Sequence, residues 1–291
     1  MRWGFVGLGQ MGLPMAQRLA RAVDLTAHDP ARDAAEGLRL VHRARDLAPC
    51  DALVTCLPNG DVVDTVLFGP EGIAEALAPG AVVVDTSTTT HAAALRISAR
   101  LGDLGIAFLD APVSGMQARA EEGTLSMMVG GEAAQLDPLR GALGSMANLI
   151  LHMGPVGSGQ LGKLINQLLL NINLAGLAEI MPIAARMGLD PAQIAQVVNS
   201  GTGRSFASEF FLPNILQGIF DRGYPLQAAH KDLVAAEMLT AEHGLSAPVL
   251  AAATASYREA LAQGLGHLDK GAMIRVFEQK AGTSFRARDA D

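Results

Sequence analysis

Basic charge, cysteine and clean apolar runs are what this chain has least of. Its 22 lysines and arginines are outnumbered by 29 aspartates and glutamates, a net charge of −7 over 291 residues. A nucleic-acid partner therefore has no electrostatic support. The one basic cluster is the tail around Arg286 and Arg288, offset by Asp289 and Asp291, and it reads as a solvated, frayed terminus. Cysteine occurs twice, as Cys50 and Cys56, on either side of an apparent strand. That placement argues against a bridge and for two reduced thiols in a cytoplasmic protein. No signal peptide fits, because residues 2–7 already read as a strand. No apolar run is both long and clean enough for a bilayer. The best, residues 164–183, is interrupted by Asn166, Gln167, Asn171, Asn173 and Glu179, so no membrane association is expected. The seven histidines (His28, His42, His91, His152, His230, His243 and His267) lack ligand spacing, and no metal is expected. No serine or cysteine nucleophile elbow appears.

What is present is a globular composition, 49% hydrophobic and 18% charged, in a chain long enough for two domains. In the first half, short apolar runs at 2–7, 25–29, 52–57, 81–85, 107–109, 126–129 and 149–152 alternate with helical stretches such as 13–22, 62–67 and 90–101. This predicts an α/β Rossmann-type domain, a mostly parallel, doubly wound sheet with helices on both faces. After about Gly157 the strands disappear. Apolar residues then recur at helical spacing in 161–187, 191–200, 226–242 and 248–263. The expected division is a dinucleotide-binding domain at 1–156 and an all-α substrate and oligomerisation domain at 157–291, joined by a long interdomain helix. The glycine-rich segment from Met153 to Gly159 marks the boundary.

The first strand runs into Gly7-Leu8-Gly9-Gln10-Met11-Gly12, which opens a helix. Gly7 permits the tight turn, Gly9 lets backbone approach a pyrophosphate, and Gly12 lets helix and strand pack closely. The free N–H groups of the helix start then receive the diphosphate. An acid at the end of strand two, about 20 residues on, completes the fingerprint, and Asp29 fills that position. Its carboxylate is expected to take the ribose hydroxyls and repel a 2′-phosphate, which favours NAD over NADP. Arg32, in the next turn, is placed to bind a phosphate, although a solvated surface arginine is the simpler reading.

The stretch GLGQMGLPMAQRL resembles the opening motif of the β-hydroxyacid dehydrogenase family, which includes 3-hydroxyisobutyrate dehydrogenase and tartronate semialdehyde reductase. Three further motifs of that family occur in order along the chain. Its substrate loop appears as Asp110-Ala111-Pro112-Val113-Ser114-Gly115-Met116, with Ala120 and Gly123-Thr124-Leu125 beyond it. Its catalytic motif appears as Gly157, Gly159, Lys163 and Asn166, and its late motif as Lys231-Asp232-Leu233. The chain departs twice from the family pattern: Met116 stands where a glycine is usual and Gln167 where an asparagine is usual. Both positions border the expected substrate.

The resemblance implies an NAD- or NADP-dependent oxidoreductase interconverting a small 3-hydroxy acid and its semialdehyde or oxo acid. Lys163 is the implied general acid/base, taking the hydroxyl proton in one direction and returning it in the other, chemistry open to a lysine whose pKa is lowered toward neutrality. Gln167 shares its helix face one turn on, and Asn166 lies on the adjacent edge. Ser114, Gly115 and Met116 are the implied carboxylate-binding loop. Leu57, Pro58 and Asn59, then Thr88 and Lys231, are implied cofactor contacts, with a local turn or cap role the competing reading for Asn59 and Thr88. Phe206, Phe210 and Phe211 are placed to wall a pocket or to fill a core. Two other activities fit the fold: a dehydrogenase of a β-hydroxy amino acid, such as a threonine or phenylserine isomer, and an imine reductase, against which Lys163 argues. A non-catalytic cofactor-bound scaffold is the remaining alternative. The long apolar helix points to a homodimer or homotetramer formed through the second domain.

Overall fold

The computed structural model describes residues 1–287; Arg288, Asp289 and Asp291 of the expected frayed tail lie outside the described residues. Contacts divide the chain into two compact units, residues 1–163 and 164–291. In the first unit nine strands form one sheet. They are β1 (Arg2–Val6), β2 (Asp24–His28), β3 (Arg39–Leu40), β4 (Ala52–Thr55), β5 (Val82–Asp85), β6 (Ala107–Asp110), β7 (Val113–Ser114), β8 (Leu125–Gly130) and β9 (Ala147–Gly154). Their spatial order is β3-β2-β1-β4-β5-β6-β8-β7, with β9 also on β8. The run from β3 to β6 is parallel throughout. β8 pairs antiparallel with β6 and β7 and parallel with β9.

The sequence explains this arrangement. β4 (ALVT) and β5 (VVVD) are buried at every residue, as strands covered on both faces must be. One core on the sheet gathers Phe5, Leu8, Met15, Leu19 and Val54. A separate one gathers Val6, Leu53, Val63, Ile97 and Phe108. Between the strands run α1 (Gly12–Leu19), α2 (Gly60–Phe68), α3 (His91–Gly102), α4 (Met116–Glu122), and the short α5 (Ala133–Leu136) and α6 (Arg140–Leu143). Strand order reverses direction between β1 and β4, the switch point at which such sheets bind ligands beyond their carboxyl ends.

The longest helix, α7 (Ser158–Arg186), begins in the first unit and continues into the second. The second unit continues with α8 (Pro191–Ser200), α9 (Phe206–Leu216), α10 (Leu226–Glu242), α11 (Pro248–Ala262) and α12 (Ile274–Ala281). Its core joins Leu174, Ala178 and Met181 of α7 to Phe211, Leu233, Tyr257 and Ile274. Two expectations change here. By length and composition α7 is long and apolar enough to cross a membrane, contrary to the reading that no run qualifies. One of its polar interruptions nonetheless packs within protein: Asn171 is fully buried and accepts from Lys270 at 2.8 Å and Tyr257 at 3.3 Å. The tail is also anchored as far as it is described. Glu278 accepts from the Phe285 N–H at 2.7 Å and pairs with Arg286 at 2.5 Å, so Arg286 is not frayed.

Candidate active site

The glycine-rich turn has the shape that a diphosphate needs. Gly7 sits at φ +96°, where a Cβ would run into the Cys56 carbonyl, and a Cβ on Gly12 would run into the Gly7 carbonyl. Gly9, by contrast, has open space where its side chain would be. The backbone at Leu8–Met11 is therefore held from behind and open in front, and the residues present fit a dinucleotide. The Asp29 carboxylate lies at this turn, accepting from the Leu8 N–H at 2.6 Å and the Ala31 N–H at 2.8 Å. Arg32 is anchored rather than freely solvated, its Nε donating to the Leu8 carbonyl at 2.9 Å. The Asp29 carboxylate and the Arg32 guanidinium thus border the same backbone.

At the ends of β4 and β5, the Leu57 N–H donates to Ser87 Oγ at 2.9 Å. The Asn59 side chain caps α2, accepting from the Asp61 and Val62 N–H groups at 3.0 Å. The cap role weighed for it is therefore filled. Thr88 is exposed beside these residues, and Lys231 is exposed on α10 in the second unit. Gln10 of the glycine-rich turn donates to Gln117 of α4 at 2.9 Å, which brings the turn and the Ser114–Met116 loop together.

The loop's backbone accounts for the family's glycines. Gly115 lies at φ +145°, and a Cβ there would meet Arg119 and Leu125 carbons at 2.9 Å. Met116 lies at φ +62°, the only non-glycine residue with positive φ among the described residues. Its side chain is 40% exposed, so the strain is local to the backbone. Lys163, six residues into α7, is only 9% exposed. Asn166 and Gln167 follow it on α7, the first exposed and the second half-buried. In the second unit, Phe211 is buried and stands edge-on to Phe210, whereas Phe206 is exposed.

Three residues that matter locally had no role assigned from sequence. Asp85 and Asp110, register partners at the ends of β5 and β6, are both buried. Asp85 accepts from Thr55 Oγ1 at 2.8 Å and the Ser87 N–H at 3.1 Å through one oxygen, and burial pushes its carboxyl up to about 6. Asp110 takes N–H groups at the start of α7, and burial raises it too. Gln160 is buried one turn before Lys163. A signal was available for Asp85, an acid closing a run of three buried valines. No local signal existed for Gln160. Burial pushes both free thiols, Cys50 and Cys56, up to about 11, so neither is a nucleophile at neutral pH. Among the described residues no cluster of metal ligands occurs.

A dinucleotide turn, an acid at the end of the second strand and a buried lysine beyond the sheet define a nicotinamide-dependent oxidoreductase. Comparison with known proteins narrows the class. Residues 2–154 match the NAD binding domain of 6-phosphogluconate dehydrogenase, and residues 157–277 the NAD-binding domain of NADP-dependent 3-hydroxyisobutyrate dehydrogenase. The chain is 36% identical to 2-(hydroxymethyl)glutarate dehydrogenase of Eubacterium barkeri, covering 97% of this chain and 96% of that one. It is 32% identical to the NAD-dependent L-serine dehydrogenase of Pseudomonas aeruginosa, covering 96% and 98%. The crystal structure of 3-hydroxyisobutyrate dehydrogenase from Salmonella typhimurium superimposes with a TM-score of 0.87 at 31% identity, covering 95% of this chain and all of that one. The chain belongs to the β-hydroxyacid dehydrogenase family and is an NAD(P)-dependent oxidoreductase.

Two stability measurements check this local physics. A left-handed φ costs a side-chain-bearing residue about 1 kcal/mol. Met116→Gly is therefore expected to leave stability unchanged or raise it by up to about 1 kcal/mol in urea unfolding, where glycine elsewhere in a helix costs about that much. A loss larger than about 1 kcal/mol would mean that Met116 packing outweighs the strain. For Asp85, the folded carboxyl titrates near 6 against 3.8 as an isolated group. Its contribution to stability is full below 3.8 and is lost as pH rises through about 6. Asp85→Asn removes that loss, on the order of 2 kcal/mol. The variant should gain on the wild type between pH 4 and pH 7 (about those values) in parallel melts, and a pH-independent difference would refute the assignment.

Proposed function

We propose that this protein oxidises a 3-hydroxy acid bearing a hydroxymethyl group beside its carboxylate, or reduces the matching semialdehyde, with Lys163 as the general acid/base. The observation that carries the reading is the burial of Lys163 inside an ordered set of family motifs. The relatives' substrates, by their names, share one fragment. 2-(Hydroxymethyl)glutarate, L-serine and 3-hydroxyisobutyrate all carry a CH2OH group on the carbon next to a carboxylate, and they differ in the third substituent there.

A bound nicotinamide supplies the hydride acceptor. The protein's residues supply the rest. Ser114, Gly115 and Met116 offer backbone N–H groups and a hydroxyl to the carboxylate. Lys163 takes the hydroxyl proton at its Nζ, and Gln167 and Asn166 orient the substrate from the same helix. Leu8–Met11, Leu57–Asn59, Thr88 and Lys231 hold the cofactor, and Asp29 directs the choice toward NAD. Residues 1–156 form the dinucleotide-binding domain, which also carries the carboxylate loop, and 157–291 the substrate and oligomerisation domain, which also lends Lys231 to the cofactor. The readings Met116 and Gln167 leave open belong to the third substituent. A β-hydroxy amino acid is the second reading, favoured by the L-serine dehydrogenase relative. The resemblance to imine reductases stands at 20–21% identity and bears on the fold alone. Two unbridged thiols suit a reducing, cytoplasmic setting.

Lys163→Ala is expected to lower kcat by about 10² to 10⁴ while cofactor still binds. Initial rates with NAD and NADP over 2-substituted 3-hydroxypropanoates, L-serine among them, check it. A fully active variant would remove Lys163 from the chemistry. Exposed Ile165, Leu169, Ile180 and Ile183 recur along α7 at three- and four-residue steps apart from one gap, with exposed Met187 just past its end, the pattern of a helix face awaiting a partner. A homodimer or homotetramer is accordingly expected, and a monomer mass by light scattering at micromolar concentration would contradict it.

A further inference from the structure

A buried chain of hydrogen bonds joins the cofactor-side loops of the first unit to the helix that carries Lys163. Gln160 is its centre. The residue is 3% exposed, and its side-chain amide uses both ends on one loop. Oε1 accepts from the Thr89 N–H at 2.9 Å, and Nε2 donates to the Ser87 carbonyl at 2.9 Å. One partner is a donor and the other an acceptor, so the amide has a single orientation. The Gln160 backbone N–H donates to Asp110 Oδ2 at 2.8 Å, and the Gly157 N–H to Oδ1 at 2.6 Å. Ser87 in turn receives the Leu57 N–H. Residues 57, 87–89 and the first turn of α7 are thus one bonded unit.

The contact is too close to leave the helix free to slide. A Cβ on Gly159 would meet the Asp110 Oδ2 at 2.8 Å and its carbonyl oxygen at 2.6 Å, and one on Gly130 would meet the Gly159 nitrogen at 2.9 Å. Lys163 is three residues past Gln160, on the next turn of the same helix. A shift in that first turn is a shift in Nζ relative to the loop at 86–89.

We propose that Gln160 is a positioning residue: its amide registers the Lys163 turn against the loop that borders the nicotinamide half of the cofactor. The proposal rests on Lys163 being the acid/base group. Misplacement of a reacting group by about 1 Å can cost about 10²-fold in rate, so the effect belongs in kcat, not in cofactor affinity.

Gln160→Leu and Gln160→Glu, with Lys163→Ala alongside, test this. Gln160→Leu removes both amide bonds and is expected to lower kcat about 10- to 100-fold at every pH. Cofactor Kd, read by fluorescence titration, should stay near that of wild type, while the melting temperature falls because the Thr89 N–H and the Ser87 carbonyl lose their partners. Gln160→Glu keeps the acceptor for Thr89. Its carboxyl can donate to the Ser87 carbonyl only while protonated, and once ionised it repels that oxygen and Asp110. Burial raises such a carboxyl above its usual value of about 4.3. The ratio of its kcat to that of wild type should therefore be highest near pH 5 and fall toward pH 9 (about those values), reversibly in one sample. A purely structural role would weaken cofactor binding in step with the melt and leave that ratio flat with pH, and either result overturns the proposal. Gln160→Leu turning over at the wild-type rate beside an inactive Lys163→Ala overturns it alone. A fully active Lys163→Ala overturns the acid/base reading and the proposal with it.

Discussion

A helix begins with N–H groups that no earlier carbonyl can reach, and the start of α7 is buried. Asp110 meets this constraint with both oxygens of one carboxylate, 47 and 50 residues away in sequence. Removing the carboxylate from water is costly, which is why burial raises its pKa, and the backbone N–H groups it accepts offset that cost. The geometry then dictates its neighbours. Gly130 and Gly159 are glycine because the carboxylate and the helix backbone occupy the volume a methyl group would need. Lys163 inherits its place from that first turn.

Asp85 stands beside Asp110 on the next strand and meets a different fate. Its partners are a hydroxyl and one N–H, both on the same oxygen, and its Oδ2 has no partner among the described residues. Asp110 itself, close by, adds to the upward push on the Asp85 carboxyl, although desolvation is the larger cause. Two carboxylates at adjacent strand ends are tolerated because the helix start neutralises one and the other can hold a proton. Both act on backbone: Asp85 orders the bend into Ser87, and Ser87 holds Leu57. The loops at the carboxyl ends of β4 and β5 are therefore stiffened from below by side chains that never reach the surface.

Much of this molecule is legible in its residues. Buried parallel strands read as near-continuous apolar runs, so β1, β2, β4, β5 and β6 lie within a few residues of the runs that predict them; β8, part of it antiparallel, and β9, mostly exposed, do so on their apolar residues alone. The two-residue strands β3 and β7 carry too few positions to show a period. Helix α9 escapes the pattern because its apolar residues surround the whole axis instead of forming a stripe, and Pro213 sits within it. Helix α12 escapes it despite a clear alternation of buried and exposed residues, being only two turns long. The motif glycines and Lys163 stand out because their spacing is local. Gln160 does not, since its meaning lies in Ser87 and Thr89, more than 70 residues distant. Arg286 misleads for the same reason: composition shows a charged tail, and only the fold shows Glu278 beneath it.

The two departures from the family pattern fall where change is cheapest. Gly115 cannot accept a side chain, because Leu125 and Arg119 already fill the space and φ is strongly positive. At Met116 the φ is one that a side chain tolerates at a modest cost, and the side chain leaves toward solvent. Gln167 is half-buried and lies one turn beyond Lys163, outside the hydrogen bonds that tie residues 157–160 to the sheet. Neither position shares a partner with Gln160, Asp110 or Ser87 in those bonds. Side chains at 116 and 167 can therefore vary without moving the lysine. The buried polar chain that places Lys163 leaves no such latitude, because each of its members satisfies a group that would otherwise be buried unpaired.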